Sequence, residues 1–229
     1  MAKRKSSRTR RRRSTGSRSR RRSLLRTLVL AGLGLVVVNT LFLGGHPVRA
    51  GGMEDTLMPG DRLLFERVTY GIPVPLVGAL PALGEPSPGE LVLFRVPGEP
   101  YRTYLQRCVA VAGQSVEIRD KAVFVDGERF PDPPRSKHLD PRILPGRGSR
   151  RDNLGPERVP PGHLFVMGDN RDRSRDSRQW GFLPVANVVG RPLAVWFSAE
   201  PASEDGPLLA GLASLPGRLR WDRLGAVAR

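Results

Sequence analysis

The sequence predicts a mostly β domain preceded by a single apolar helix. Short apolar runs bounded by Gly, Pro, Asn and Asp recur between residues 61 and 198, the pattern typical of strands joined by tight turns. A run of 19 uncharged residues, 27–45, precedes them and is about as long as a membrane-spanning helix must be. The positive charge lies on the N-terminal side of this run, which separates a tail from the folded part.

That tail is strongly basic. Of the 38 Lys and Arg residues, 13 lie in residues 1–26, which contain no Asp or Glu, and 25 basic residues accompany 22 acidic ones in the rest of the chain. The Arg- and Ser-rich composition predicts that residues 1–26 are disordered and lie against anionic membrane lipid. A nucleic-acid arm is the alternative, but the tract has no aromatic residue for base stacking, so nucleic acid is not the predicted partner.

The uncharged run, residues 27–45, predicts a transmembrane helix that ends near Gly44, Gly45 and Pro47. By the positive-inside rule the tail is cytoplasmic, so we expect a single-pass protein of the bacterial cytoplasmic membrane with residues 46–200 as a domain on the outer side. A cleaved signal peptide is the alternative, because Val48-Arg49-Ala50 offers small residues at both recognition positions and Arg21-Arg22 loosely resembles a twin-arginine signal. Both interpretations export the folded domain.

The exported part divides into strands, one insertion and a tail. Residues 130–161 contain eight prolines and predict a surface insertion, and residues 201–229 form a C-terminal tail without a distinctive pattern. Cys108 is the single cysteine and predicts a small buried hydrophobe, and the three histidines have no metal-ligand spacing, so we expect neither a metal nor a cofactor. The predicted strands are residues 62–67, 90–96, 101–112, 115–118, 122–127, 163–167 and 193–198.

Residues 51–61 resemble the nucleophile box of the type I signal peptidases. That box has a Ser-Met pair, two further residues, Thr-Leu, and a Pro-Gly-Asp turn before a strand. The resemblance implies that the nucleophilic serine falls on Gly52, which has no side chain, and that the side chain assisting the oxyanion falls on Ala50. The matching residues are Met53, Thr56, Leu57, Gly60 and Asp61.

Two further stretches resemble boxes of the same family. Residues 106–113 are similar to the stretch in which a Lys-Arg pair opens an apolar run, and the lysine that serves as general base falls on Gln106. Residues 168–182 contain Gly-Asp-Asn-Arg-Asp and Asp-Ser-Arg-Gln-Trp-Gly and closely resemble the C-terminal box. The resemblance implies that Ser174 and Asp176 support the lysine and that Asp169 and Arg178 hold the loop. It covers residues 51–198 and implies two coiled antiparallel sheets.

A shift in alignment does not restore the missing pair. Residues 24–86 contain no serine and residues 6–120 contain no lysine. The sequence therefore predicts a signal peptidase I-like pseudoenzyme whose partners are signal peptides of exported preproteins or an active signal peptidase. One alternative is an active peptidase with a non-standard nucleophile, for which Thr56 is the nearby hydroxyl; another is a structural or nucleic-acid-tethering protein that acts through its tail.

Overall fold

The structure, a computed structural model, describes residues 16–41, 43–47, 51–71, 73–74, 78–79, 81–96, 102–200 and 215–226. The chain divides into two compact units, residues 1–40 and 41–229. Helix α1, Gly16–Leu41, accounts for the described part of the first unit, and all strands belong to the second.

In the part of the second unit that the structure describes there are thirteen strands and a few short helices. The helices are α2, Ser177–Trp180; a second single turn, Leu215–Arg218; and the 3₁₀ turns Gly51–Met53, Val185–Asn187 and Trp221–Arg223. The strands are β1 Leu43–Pro47, β2 Asp61–Glu66, β3 Pro73–Val74, β4 Gly78–Ala79, β5 Leu91–Arg95, β6 Thr103–Val111, β7 Ser115–Arg119, β8 Ala122–Val125, β9 Glu128–Arg129, β10 Leu154–Arg158, β11 His163–Met167, β12 Leu183–Pro184 and β13 Val188–Ser198.

The strands form two antiparallel sheets, which confirms the predicted mostly β fold. Seven strands are ordered β1-β2-β13-β5-β6-β11-β12, four are ordered β10-β7-β8-β9, and β3 and β4 form a separate small hairpin. The sheets are joined through β6 and β7, since a turn containing Gly113, with φ +87°, leads from one to the other. Glycine fits this turn because a side chain disfavours positive φ.

The core lies mainly under β5, β6 and β11. Val92, Phe94, Cys108 and Val166 have no exposed surface and pack in one cluster. A second cluster, around Phe165, packs the end of β6 against the four-stranded sheet. These strands read as near-continuous apolar runs because both of their faces are covered, so polar residues within them stand out as candidates for function.

The N-terminal boundaries differ from the predicted ones. Helix α1 begins at Gly16, so residues 16–26 of the predicted disordered tail are helical, while residues 1–15 lie outside the described residues. Arginine is a good helix former, which allows the apolar helix to extend into the basic tract. The helix ends at Leu41, before the predicted Gly45, because residues 43–47 pair with β2 as a strand. Of the helices in the described residues, none combines the length and the apolar character needed to cross a membrane.

Strand β10 was not predicted from the sequence, and β13 was predicted too short. β10 lies inside the predicted Pro-rich insertion and pairs with β7. Its Pro156 is tolerated because β10 is an edge strand with a register shift between Leu154 and Glu157. β13 begins at Val188, not at Leu193, since a shift in pairing near Pro192 lets this proline sit within the strand.

The predicted C-terminal tail is also part of the second unit. Residues 201–214 lie outside the described residues, but residues 219–226 run beside the end of β13. Backbone hydrogen bonds join Val195 to Gly225 and Ala226 at 2.8 and 3.0 Å. The domain therefore extends beyond the predicted end at residue 200.

Candidate functional site

The candidate site lies where the 51–61 segment meets the 168–178 loop. The 3₁₀ turn Gly51–Met53 places the Gly52 carbonyl against this loop, where it accepts a hydrogen bond from the Asn170 amide at 3.0 Å. A Cβ added at Gly52 would lie 3.4 Å from Ser174 Oγ, an ordinary contact distance. Position 52 thus faces the Ser174 hydroxyl but presents only backbone to it.

Gln106 approaches the same serine from strand β6. Its Nε2 donates to the Arg175 carbonyl at 2.8 Å and to Ser174 Oγ at 3.3 Å, and the residue is 4% exposed. The orientation of the amide follows from these contacts, since a carbonyl oxygen can only accept. Gln106 Oε1 is buried and finds no hydrogen-bond partner among the described residues. The structure therefore brings together three predicted site residues, Gly52, Gln106 and Ser174, whereas Ala50 lies outside the described residues.

Asp176 and Arg178 form a buried ion pair beneath the loop. Arg178 donates from Nε and Nη2 to the two carboxylate oxygens of Asp176 at 2.8 and 2.7 Å. Asp176 also accepts from the Gly168 amide at 3.2 Å and caps helix α2. The third guanidinium nitrogen, Arg178 Nη1, donates to the Arg151 carbonyl at 2.9 Å. Among these contacts Asp176 holds the loop backbone, and Ser174 is the residue that touches Gln106.

Asp169 joins three parts of the domain. Arg107 donates to both of its carboxylate oxygens, at 3.0 and 2.8 Å, and Thr56 Oγ1 donates to Oδ2 at 2.6 Å. Arg107 also donates to the Gly89 carbonyl at 2.7 Å. Asp169 has no exposed surface, so this bidentate charged pair is desolvated and geometrically specific.

Gly168 allows the close approach of the loop to the 51–61 segment. A Cβ added there would overlap Ser174 Oγ and the Gly52 carbonyl oxygen. No side chain fits at this point without a backbone shift, so the glycine sets the spacing between Gly52 and Ser174.

The described lysines serve other contacts. Lys137 Nζ lies 2.6 Å from Asp55 and 3.3 Å from Glu54, and these carboxylates raise the lysine pKa above its ordinary value. Lys121 Nζ donates to the Asp140 carbonyl at 2.5 Å and lies 3.2 Å from Asp172. Both Nζ atoms are engaged by acidic residues, so neither lysine takes part in the contact between Gln106 and Ser174.

Cys108 and the histidines are not part of the site chemistry. Burial raises the pKa of the Cys108 thiol to about 12, so the thiol stays protonated and unreactive as the sequence predicts. Within the residues that the structure describes, no group of three or more His, Cys, Asp or Glu is arranged to hold a metal ion.

The sequence analysis missed how the Pro-rich segment supports the site loop. Asp172 accepts from the Asp140 amide at 2.7 Å, and Arg151 Nε lies 3.7 Å from Asp172. The backbone amide of Lys137 also donates to the Asp169 carbonyl of the loop at 2.9 Å. The alternating Asp and Arg residues of the loop were a signal that it needs charged partners, but the sequence did not show where those partners come from.

Comparisons with known proteins identify relatives of this chain. A family model described as signal peptidase, peptidase S26, matches residues 21–197. Signal peptidase I of Pseudomonas fluorescens is 30% identical over 195 residues, covering 72% of this chain and 68% of that protein. The probable signal peptidase I-1 of Synechocystis is 37% identical over 157 residues, covering 68% of this chain and 70% of that protein. A crystal structure of a signal peptidase I from Enterococcus faecalis overlaps 47% of this chain and 96% of its own, at 26% identity and a TM-score of 0.38.

Proposed function

Because this chain belongs to the signal peptidase family, peptidase S26, we propose that it binds the signal-peptide region of exported preproteins without cleaving it. The observation that carries the proposal is the pairing of Gly52 and Gln106 around Ser174. The two positions meet as a nucleophile and its base would, yet neither carries the group that peptide hydrolysis needs.

The chemistry follows from the two side chains. Cleavage of an amide by this family's route needs a hydroxyl to attack the scissile carbonyl and a neutral amine to take its proton. Gly52 supplies no oxygen. The Gln106 amide does not accept a proton at neutral pH, and its Nε2 is already donating to Ser174 and the Arg175 carbonyl. Loss of one member of such a unit typically costs about 10⁴- to 10⁶-fold in kcat.

The supporting structure is retained around these two positions. The buried Asp176–Arg178 and Asp169–Arg107 pairs hold the loop, and Gly168 keeps it close to the 51–61 segment. Both pairs are bidentate, which fixes the relative orientation of the two side chains in each pair. An extended peptide can bind beside strand edges through backbone hydrogen bonds and small pockets, and this requires shape, not a nucleophile.

The alternative is an active peptidase that uses Thr56. Thr56 is 5% exposed, and its hydroxyl donates to Asp169, which already accepts two bonds from Arg107. A carboxylate engaged in this way is a poor general base, and the buried hydroxyl has no path to a scissile carbonyl. These contacts favour a structural role for Thr56.

We also propose that the uncharged part of helix α1, residues 27–41, anchors the protein in the cytoplasmic membrane, with the tail in the cytoplasm and the domain on the outer side. The support is the absence of charge from residues 27–45 next to the 13 basic residues that precede them. This position would present the domain to exported chains, or to an active signal peptidase working on them.

The test measures binding and cleavage in the same sample. The purified full-length chain is mixed with a fluorescent peptide spanning a signal-peptide cleavage region, and anisotropy and mass spectrometry follow the two processes. We expect saturable binding with the peptide intact, and weaker binding of a control peptide whose small residues before the cleavage point are replaced by bulky ones. Absence of binding contradicts the proposal. Cleavage that disappears in Thr56→Ala supports the alternative instead.

A further inference from the structure

The C-terminal residues 219–226, called here the C-terminal clasp, return to the 51–61 segment. They lie beside β13 through a bridge between Ala199 and Leu219 and through backbone bonds of Val195 to Gly225 and Ala226. The clasp is thereby held on β13, which neighbours β2 in the sheet. Strand β2 begins at Asp61, the last residue of the 51–61 segment.

Arg223 is the central contact of the clasp. It is 8% exposed, and its Nη2 donates to Asp61 Oδ2 at 2.6 Å while Nε lies 3.2 Å from both carboxylate oxygens. The same Nη2 donates to the Thr56 carbonyl at 3.2 Å. One guanidinium therefore holds both the end and the middle of the segment.

Three further contacts close the segment. Arg220 Nη2 donates to the Pro59 carbonyl at 3.1 Å. Asp61, which has no exposed surface, also accepts from Ser198 Oγ at 2.6 Å and from the Met58 amide at 2.9 Å. The carboxylate thus joins the turn, the end of β13 and the clasp.

Thr56 connects the clasp to the site. Its carbonyl is held by Arg223, and its hydroxyl is held by Asp169 of the loop that faces Gly52. The next residue, Leu57, donates from its amide to the Met53 carbonyl at 2.7 Å, and Met53 directly follows Gly52. A shift of the clasp would therefore reach Gly52 through at most five residues of chain.

We propose that Arg223 is a positioning residue of the peptide site: it acts through Asp61 and the Thr56 carbonyl to keep Gly52 against the Ser174 loop. This inference rests on the proposed function for its effect on peptide binding, but the positioning itself can be measured without peptide.

The experiment compares the full-length wild type with Arg223→Met and Arg223→Lys. Native-state hydrogen exchange is read at the Leu57 amide and at the Asn170 amide, which bonds the Gly52 carbonyl, and peptide affinity is read by anisotropy. In Arg223→Met we expect faster exchange at both amides and affinity weaker by about 5- to 100-fold, the usual range of coupling between sites. Arg223→Lys keeps the positive charge but not the planar guanidinium that bonds Asp61 and Thr56 together, so we expect exchange rates and affinity between those of Arg223→Met and wild type. Arg218→Met is the matched control, because this arginine lies in the same part of the chain and donates to the Glu200 carbonyl.

The outcomes separate the two proposals. Unchanged exchange at Asn170 in Arg223→Met overturns the positioning role whether or not peptide binds. Faster hydrogen exchange with unchanged peptide affinity would mean that the clasp has only a structural role, and it would overturn the proposal that Arg223 positions the peptide site. Faster exchange in a protein whose wild type binds no peptide leaves the positioning of Gly52 standing and sinks the proposed function. If Arg223→Met does not fold, Arg220→Met, which removes the bond to the Pro59 carbonyl and a 3.8 Å ion pair with Asp61, is measured by the same exchange and affinity criteria.

Discussion

The Thr56 hydroxyl donates a 2.6 Å hydrogen bond to Asp169 Oδ2, across 113 residues of sequence. This bond joins the 51–61 segment to the 168–178 loop, and both groups are buried. The acceptor is a carboxylate, so the bond belongs to the stronger, charge-assisted class. It gives Thr56 a structural role that does not depend on a nucleophile at position 52.

Thr56→Val should therefore lower the free energy of unfolding by about 2 kcal/mol, because Asp169 loses a charge-assisted donor without a change in side-chain volume. Urea unfolding would show a lower midpoint with the same slope. Thr103→Val, at a half-buried threonine whose hydroxyl bonds no described residue, is the control and should be near neutral. Equal midpoints for Thr56→Val and wild type would contradict the structural role.

Restoring both missing groups should restore cleavage. A serine at position 52 fits, since its Cβ would lie 3.4 Å from Ser174 Oγ, and a lysine at position 106 would reach the same hydroxyl that Gln106 contacts at 3.3 Å. We expect measurable preprotein cleavage by the Gly52→Ser, Gln106→Lys double variant. Each single variant should remain inactive, because a nucleophile and its base act as a unit.

The readout is conversion of a preprotein to its mature form, followed by mass spectrometry. Activity in the wild type would show that other groups supply both the nucleophile and the base. Equal activity in the double variant and in Gly52→Ser alone would show that another group supplies the base. Inactivity of a folded double variant would show that the scaffold has lost more than two side chains.

Gly168→Ala should destabilise the domain, because the added methyl group overlaps Ser174 Oγ and the Gly52 carbonyl oxygen. Overpacking of this kind costs about 1–3 kcal/mol in the free energy of unfolding. Gly155→Ala is the matched control, since a Cβ at Gly155 meets no atom within 4 Å. Thermal unfolding of the two variants side by side measures the difference; similar melting temperatures would argue against a tight approach at Gly168.

The Asp61–Arg223 pair should make stability depend on pH in the acid range. Burial alone would raise the pKa of Asp61, but hydrogen bonds from Arg223, Ser198 and the Met58 amide outweigh it, and the pKa is lowered. A lowered folded-state pKa gives stability that is present above the unfolded value, roughly 3.9, and is lost as the pH falls through the folded value.

Arg223→Met should therefore be less stable than wild type by about 3 kcal/mol at pH 7, the cost of leaving a buried carboxylate without its partner. The gap between the two should narrow as the pH falls from 7 towards the lowered pKa of Asp61 in the folded wild type, because protonated Asp61 does not need the guanidinium. Urea unfolding at several pH values measures this gap. A gap that stays constant from pH 7 to pH 3 would exclude the ion pair as its source.

Cys108 should not react with iodoacetamide in the native protein. The side chain has no exposed surface, and its thiol pKa of about 12 leaves almost no thiolate at pH 8. Labelling should become rapid in denaturing urea, as followed by intact mass. Stoichiometric labelling of the native chain within minutes would indicate that β6 opens far more readily than its packing suggests.

Much of the domain could be predicted because its signals are local. The strands around Phe94, Cys108 and Val166 follow from apolar runs between turn residues, and each forms where its own side chains can be buried. Gly52 and Gln106 could be predicted as site positions because they stand within recognisable motifs, and the structure brings both of them to Ser174. Strand β10 was not found, since Pro156 argues against a strand unless an edge position and a register shift accommodate it.

The sequence by itself determined which chemical groups this protein lacks: no hydroxyl at position 52 and no amine at position 106, whatever the fold does. Only the tertiary structure decided what surrounds them, namely Thr56 bonded to Asp169 and Arg223 bonded to Asp61, 162 residues apart in the chain. The physical reason is that residue types are local properties, whereas the partner of a buried charge depends on which distant segments the packed sheets bring within about 3 Å of each other.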